Sequence, residues 1–254
     1  MDFTLILIGA FLAGCIDAMV GGGGLIQLPV LFAAYPQEAP ARLLGTSKLA
    51  GVFGTASAIV RFSRSVRIPW KLLTPGLAVA FAASLAGAVL ATHVPPGVFR
   101  PLVPVMLTLV LAYTLARKDL GQVHIPRKLQ GAHYIGAGIL IAAIGCYDGF
   151  FGPGTGSFFM ILFIRLFGFD FLNAAAAARV LNVATNIAAL AWFGQHGNVI
   201  WTIGLAMAVC NVAGAQLGTR LAVRGGSRLM RLVFIVVVSI LIAKTARDAW
   251  VVNG

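Results

Sequence analysis

Charged residues are scarce in this chain. Only 10% of its 254 residues are Asp, Glu, Lys or Arg, and only 7 are acidic, whereas an average soluble domain carries roughly 25% charged residues. Hydrophobic residues make up 59% of the sequence, and the mean hydropathy is +0.94. This scarcity of charge excludes an ordinary soluble protein. It predicts an integral membrane protein in contact with the lipid bilayer.

Side chains that catalysis and metal binding require are also few. The 3 cysteines and 4 histidines have neither the spacing of a zinc site nor that of a disulfide framework. The phosphate loop of an ATP-driven pump is missing as well. We therefore expect no cofactor, no metal ion and no enzymatic activity. One alternative stays open, in which Cys15 and Cys146 form the thiol relay of a membrane enzyme.

The apolar residues are gathered into long stretches. Most of these stretches have about the 20 residues that a helix needs to cross a bilayer. The bilayer core offers no hydrogen-bond partners to the backbone, and the stretches lack the alternation of a porin-like barrel, so we expect an all-α polytopic membrane protein. The stretches lie near residues 3–34, 43–62, 72–92, 99–116, 132–164, 172–194, 199–222 and 229–251.

The sequence contains an internal duplication. Residues 15–115 align with residues 146–246 without a gap, at a constant offset of 131. Many transporters are built from two such repeats. The predicted division is a first transmembrane repeat at 1–116, a basic linker at 117–131 and a second transmembrane repeat at 132–254. Composition alone does not explain the matches between rare residue types: Cys15 with Cys146, Asp17 with Asp148, Trp70 with Trp201, and Arg100 with Arg231.

Glycines interrupt the first and fifth stretches at equivalent places. The first break is the run Gly21–Gly24, and the second lies at residues 152–156. Broken helices survive at membrane depth where the freed backbone groups face protein or a wet cavity, and a helix that starts after the break attracts anions. Close helix packing through small residues is the alternative explanation. Recurrence of the break favours a substrate site, with the broken helices meeting near the midplane.

Basic residues are distributed differently in the connecting segments of the two repeats. Residues 61–71 include 4 Lys or Arg, while the equivalent residues 192–202 include none. In the next connection the second repeat is the more basic one, since residues 92–100 include only Arg100 and residues 220–231 include 4 Arg. Under the positive-inside rule this exchange predicts inverted repeats. Eight plain spans in two parallel repeats are the alternative. These segments, the central linker (Arg117, Lys118, Arg127, Lys128) and the last turn (Lys244, Arg247) hold most of the basic residues behind the net charge of +12, and we expect no nucleic-acid partner.

Four ionisable residues lie inside the apolar stretches: Asp17, Lys48, Asp148 and Arg179. Each costs about 2.5–3.5 kcal/mol on insertion, so such residues usually mark a pathway or a pair. In one interpretation, Asp17 pairs with Lys48 and Asp148 with Arg179, and the pairs only hold the helices together. In the other, Lys48 and Arg179 bind an anion while an aspartate is protonated as access changes. Further polar residues lie in the same stretches. They either complete the lining of the anion site or form ordinary hydrogen bonds between helices; they are Gln27, Thr46, Ser47, Thr55, Asn182, Thr185, Asn186, Asn211 and Gln216.

Several motifs carry a family resemblance. In the first repeat they are Gly-Cys-Ile-Asp-Ala at 14–18, the four glycines at 21–24 and Gly-Thr-Ser-Lys-Leu at 45–49. In the second they are Tyr-Asp-Gly-Phe-Phe-Gly-Pro-Gly at 147–154 and Arg-Val-Leu-Asn at 179–182. Together they resemble the TauE/SafE family of permeases for sulfite and organosulfur anions, also called TSUP, and specifically its YfcA-like branch. The resemblance covers nearly the whole chain and implies transport of sulfite, thiosulfate, sulfoacetate or a related anion.

These observations predict a secondary transporter of a small sulfur oxyanion or organosulfonate, acting by alternating access in the bacterial inner (cytoplasmic) membrane. A membrane interaction subunit that transports nothing is a further alternative, and a homo-oligomer is left open. The predicted coupling or gating residues are Asp17 and Asp148. The residues predicted to bind the substrate are Lys48, Arg179, Gly22, Gly23, Gly24, Gly154, Thr155, Gly156, Thr46, Ser47, Asn182 and Asn186.

Overall fold

The computed structural model describes residues 3–95 and 131–225, with isolated positions 97, 98, 105 and 109 between them. Within these residues every regular element is a helix, as predicted. The eight helices are α1 (Phe3–Val20), α2 (Gly24–Ala34), α3 (Pro40–Phe62), α4 (Trp70–His93), α5 (Ala132–Phe150), α6 (Thr155–Phe167), α7 (Phe171–Gln195) and α8 (Trp201–Gly225). The predicted stretches 99–116 and 229–251 and the linker 117–130 lie outside the described residues, apart from positions 105 and 109.

Six of the described helices are long and apolar enough to cross a membrane, namely α1, α3, α4, α5, α7 and α8. The other two, α2 and α6, have only 11 and 13 residues. At about 1.5 Å per residue, they are roughly 16 and 20 Å long, too short to span a hydrocarbon core of about 30 Å. The prediction of a polytopic all-α membrane protein with two broken helices is therefore confirmed.

Glycine conformation explains why the chain breaks where it does. Gly21 has φ +81°, Gly152 has φ +102° and Gly154 has φ +82°, a region that residues with a Cβ rarely adopt. After the first break α2 folds back along α1, since Val30 packs against Gly9 and Gly23 lies beside the backbone of Ala13. Each break thus converts one apolar stretch into a hairpin.

The predicted duplication reappears in the helix boundaries. Three helices of the first half begin 131 residues before three helices of the second: α2 and α6, α3 and α7, and α4 and α8. Packing follows the same offset. A methyl group on Gly87 would collide with the carbonyl oxygen of Cys146, and one on Gly218 would collide with that of Cys15. The first helix of each half therefore packs against the last described helix of the other half.

The equivalent helices α3 and α7 contact each other and run antiparallel, because the early residues of α3 contact late residues of α7 and the late residues of α3 contact early residues of α7. This relation is the one that inverted repeats require. The three contacts that give the direction are Gly45 against Phe193, Gly51 against Asn186, and Phe62 beneath Arg179.

The described parts of the two strongly basic segments, residues 61–71 and 220–225, lie at the same end of the helix bundle, although they are not equivalent in sequence. Arg61, in the last turn of α3, donates a hydrogen bond from Nη1 to Oε1 of Gln216 at 2.9 Å. Gln216 lies one turn before Arg220 in α8. The C-terminal ends of α3 and α8 therefore gather basic residues on one side, the distribution that the positive-inside rule associates with the cytoplasm.

Candidate functional site

The two glycine breaks meet in the interior. Gly21 and Gly156 approach so closely that a Cβ on either would collide with the backbone of the other. Ser157, in the first turn of α6, donates a hydrogen bond from Oγ to the carbonyl oxygen of Val20 at 2.6 Å. This bond satisfies a carbonyl at the end of α1 that the break leaves without its helical donor. Small residues and one serine thus join the two halves at the centre of the fold.

A polar cavity of about 50 Å³ lies at this junction. Since one water requires roughly 10–15 Å³ in this measure, the cavity has room for about three to five waters or one small polyatomic ion. Both breaks and parts of α1, α2, α3, α5, α6, α7 and α8 contribute to the wall. The lining residues are Asp17, Gly21, Gly23, Gly24, Gln27, Leu28, Leu44, Ser47, Lys48, Gly51, Thr55, Asp148, Phe151, Gly152, Pro153, Gly154, Gly156, Asn182, Asn186 and Asn211.

A buried ion pair occupies one side of the cavity. Nζ of Lys48 lies 2.9 Å from Oδ1 of Asp148, and the two side chains are 6% and 2% exposed. Gly152 makes room for this contact, since a Cβ there would lie 2.7 Å from Nζ. The predicted pairing of Lys48 with Asp17 is wrong. Because α3 packs against the second half of the chain, Lys48 reaches the acid of the opposite half.

Arg179 corresponds to Lys48 in the second half of the chain, and it also contacts the opposite half. Unlike Lys48, it does not line the cavity. Its side chain is buried, and its Nη2 donates to the main-chain oxygen of Asp17. Its Nη1 donates to the carbonyl oxygen of Ala175 at 3.0 Å, and the guanidinium lies 5.8 Å from the ring centre of Phe62. The expected pairing of Arg179 with Asp148 is therefore also wrong. Arg179 holds the end of α1, next to the first break, rather than facing open space.

Asp17 is held by neutral donors. Its Oδ1 accepts from the backbone N–H of Gly23 at 3.3 Å, and its Oδ2 accepts from the hydroxyl of Thr55 at 3.3 Å. Both donors belong to the first half of the chain. Asp17 and Asp148 therefore occupy equivalent sequence positions in different surroundings, one among hydrogen-bond donors and the other against an ammonium group.

Amide side chains form the remaining polar wall. Asn211 donates from Nδ2 to Oε1 of Gln27 at 3.2 Å, and Gln27 donates from Nε2 to the carbonyl oxygen of Ser47 at 3.2 Å. Asn186 donates to Oδ1 of Asn182 at 3.3 Å. These groups supply both donors and acceptors next to the charged pair.

Most of the residues predicted for the site line the cavity, and four do not. Those in the wall are Gly23, Gly24, Ser47, Lys48, Gly154, Gly156, Asn182 and Asn186, with Asp17 and Asp148. Outside it are Gly22, Thr46, Thr155 and Arg179. The hydroxyls of the two threonines have structural partners instead. Thr46 donates to the carbonyl oxygen of Arg42 and accepts from the N–H of Ile200. Thr155 donates to the carbonyl oxygen of Gly152.

Gly51 is the polar-wall position that sequence reasoning missed entirely. The signal was available, because the offset of 131 relates Gly51 to Asn182 and Thr55 to Asn186. A residue predicted for the site in one half thus indicates its counterpart in the other. The apolar members Leu28 and Leu44 had no such signal, since nothing distinguishes them from other buried apolar residues. Phe151, the third apolar member, belongs to the motif at 147–154 and precedes the second break directly.

The cysteines proposed for a thiol relay lie in separate helix interfaces. Cys15 packs against Gly218 of α8, whereas Cys146 packs against Gly87 of α4. Neither residue lines the cavity. The described geometry therefore brings no thiol to the place where the glycine breaks, the ion pair and the amides meet.

Comparison with known proteins identifies the family. Residues 6–245 match the family model described as Sulfite exporter TauE/SafE. The chain belongs to the TauE/SafE family. A Sinorhizobium relative described as "Probable membrane transporter protein ORF9" is 37% identical over 241 residues, covering 94% of this chain and 90% of the relative. No solved structure matches the chain significantly.

Two further TauE/SafE relatives carry similar descriptions. "Probable membrane transporter protein YfcA" of Escherichia coli K12 is 36% identical over 240 residues, 94% of this chain and 88% of the relative. A "Probable membrane transporter protein" of Haemophilus influenzae is 33% identical over 240 residues, 94% and 92% of the two chains. This TauE/SafE member is accordingly a membrane transporter, and its family favours a permease over the relay enzyme considered above.

Proposed function

We propose that the protein transports a small oxyanion, such as sulfite, thiosulfate or sulfoacetate, through the cavity where the two breaks meet. The observation that carries this proposal is the convergence of positive groups on one polar space. Gly23 and Gly24 at the start of α2 and Gly154 at the start of α6 line the cavity together with Lys48. The positive dipole end at a helix N-terminus favours an anion.

The size and chemistry of the cavity favour a small, compact anion. Its volume of about 50 Å³ suits a few heavy atoms, and the amides of Asn182, Asn186 and Asn211 can donate to oxyanion oxygens. Sulfur oxyanions are supported by the description of the family as sulfite exporters. Lys48 is then the central binding residue, with the glycine backbone around it. Arg179 acts beside the site by holding the end of α1.

Alternating access is supported by the way the halves interlock. We propose that residues 1–116 and 132–254 are two inverted repeats joined by the linker 117–131. The antiparallel contact of α3 with α7 supports this arrangement, because an exchange of conformation between the repeats then moves the opening from one side to the other. The gathering of Arg61, Arg220 and Arg224 at one end of the bundle supports a bacterial inner membrane orientation with that end in the cytoplasm.

Ligand-dependent stabilisation of the detergent-purified protein tests this proposal. The ligands are sulfite, thiosulfate, sulfoacetate, taurine, sulfate and simple carboxylates, and the measured quantity is the melting temperature. A ligand at 100 times its Kd stabilises the folded state by about 2.7 kcal/mol. We expect a selective rise with sulfur oxyanions that the Lys48→Met variant loses. An equal rise in that variant would remove Lys48 from the site, and no rise with any anion would overturn the proposal.

A further inference from the structure

The cavity and its immediate surroundings contain balanced charges. Lys48 and Asp148 form the ion pair, and Asp17 lies close to Arg179, whose guanidinium binds its main-chain oxygen. Two cations therefore face two anions. A monovalent substrate anion entering this space would leave one negative charge without compensation. Such a charge is costly in a buried site unless a cation enters with it.

The two acids are not equally placed to accept a proton. Both carboxylate oxygens of Asp17 accept hydrogen bonds, from Gly23 and Thr55. Asp148 uses Oδ1 for Lys48, while Oδ2 is buried and accepts no hydrogen bond from any described protein group. A buried acceptor without a donor is unfavourable. Protonation of Oδ2 therefore neutralises this buried carboxylate without displacing a hydrogen bond from any described protein group, whereas protonation of Asp17 would displace the bond from Gly23 or Thr55.

We propose that Asp148 carries one proton together with each monovalent anion, and that its protonation releases Lys48 to bind the anion. The inference rests on the transport function proposed above and specifies how that transport is coupled. Protonation at Oδ2 makes the carboxyl group neutral and ends its ion pair with Lys48. The ammonium group then binds the incoming oxyanion, and the total charge of the site stays unchanged. Loss of the proton re-forms the ion pair and expels the anion.

Few charged or titratable groups face Asp148. Lys48 approaches from α3, Asp17 lies across the cavity on α1, and Arg179 reaches the end of α1 from α7. Along α5 itself the neighbour is Tyr147, whose hydroxyl donates to the carbonyl oxygen of Pro153 at 2.7 Å. The parts of α2, α6 and α8 that line the cavity contribute glycines, amides and an apolar side chain. The pH response of anion binding is thus assigned to Asp148, with Asp17 as the competing acid.

The test uses methanesulfonate, a monovalent anion whose own charge is constant between about pH 5.5 and 8. Wild-type protein, Asp148→Asn and the control variant Glu38→Gln, an acid-to-amide change outside the cavity, are purified, and the Kd for methanesulfonate is measured across this pH range. One linked proton strengthens binding by up to tenfold for each unit that the pH falls. We expect this dependence in wild type and in Glu38→Gln, because Glu38 pairs with Arg42 away from the cavity. Asp148→Asn should bind with a Kd that does not change with pH.

A second measurement does not depend on any variant folding. In weakly buffered solution with a pH-sensitive dye, wild-type protein should take up one proton for each methanesulfonate bound. Binding without proton uptake would overturn the inference while leaving anion transport intact. Normal pH dependence in Asp148→Asn, or its loss in Glu38→Gln, would also overturn the inference. Absence of binding to methanesulfonate and every other anion tested, at every pH, would instead overturn the transport proposal and the coupling with it.

Discussion

Lys48 in the first half of the chain and Asp148 in the second form a buried ion pair on one side of the cavity, with 2.9 Å between Nζ and Oδ1. The pair links α3 to the end of α5, beside the second glycine break. Any movement that separates the two halves around the cavity must stretch or break it. The contact is thus both a structural link and the place where a substrate anion can compete.

We predict that Lys48→Met lowers stability because it leaves the Asp148 carboxylate buried without a partner. Breaking a buried pair from one side costs about 3–5 kcal/mol. The double variant Lys48→Met/Asp148→Asn should recover most of that stability and still fail to bind anions. Thermal unfolding with and without a sulfur oxyanion measures both effects. Recovery of anion binding in the double variant would mean that Lys48 serves the fold alone.

We predict that Arg179→Met destabilises the protein but leaves anion binding in the folded fraction. The substitution removes the hydrogen bonds to the main-chain oxygens of Asp17 and Ala175, and bonds from a charged donor contribute about 1.5–3 kcal/mol each. Monodisperse yield and melting temperature report the first effect. Titration with the same anion reports the second. A folded variant that binds no anion would place Arg179 among the binding residues.

We predict that Gly21→Ala disrupts the junction of the two breaks, whereas Gly22→Ala is tolerated. A Cβ at Gly21 would collide with the backbone of Gly156, and the positive φ of Gly21 adds strain of about 1–3 kcal/mol. A Cβ at Gly22 would meet only ordinary contacts, the nearest at 3.5 Å. Comparison of expression, monodispersity and melting temperature decides. Equal behaviour of the two variants would contradict this account of the first break.

We predict that replacing Cys15, Cys146 and Cys210 together by serine preserves transport. None of the three lines the cavity, and Ser has nearly the volume of Cys. Uptake or efflux of a labelled sulfur oxyanion in proteoliposomes is the measurement, with the Lys48→Met variant as the inactive control. Complete loss of activity in a folded cysteine-free protein would revive the thiol relay.

The same cysteine-free protein tests the orientation in the membrane. Single cysteines are introduced at Ser65, which follows α3 at the basic end, and at His196, which follows α7 at the other end; both positions are exposed. We expect a membrane-impermeant maleimide applied outside intact cells to label the His196→Cys protein and to spare the Ser65→Cys protein until the membrane is permeabilised. The reverse labelling would place the basic end outside the cytoplasm.

The sequence alone determined the properties that depend on neighbours along the chain. Apolar length determines which segments are helical in a bilayer, and glycine runs determine where those helices break, because positive φ is a local property of the backbone. The offset of 131 anticipated the common starts of α3 and α7 and of α4 and α8. Ser47 and Asn186, which belong to the helices that follow the broken stretches, both lie in the cavity wall.

The tertiary structure decided which charges meet. Proximity along the chain suggested that Lys48 pairs with Asp17, but α3 packs against α7, and the two halves interlock, so that Lys48 meets Asp148 instead. For the same reason Arg179 lies outside the cavity wall, where it contacts the main-chain oxygen of Asp17. Helix pairing depends on shape complementarity between small residues such as Gly87 and distant backbone, which a linear pattern does not specify. Composition and spacing thus determine the parts of this transporter, while three-dimensional packing determines which of them form its site.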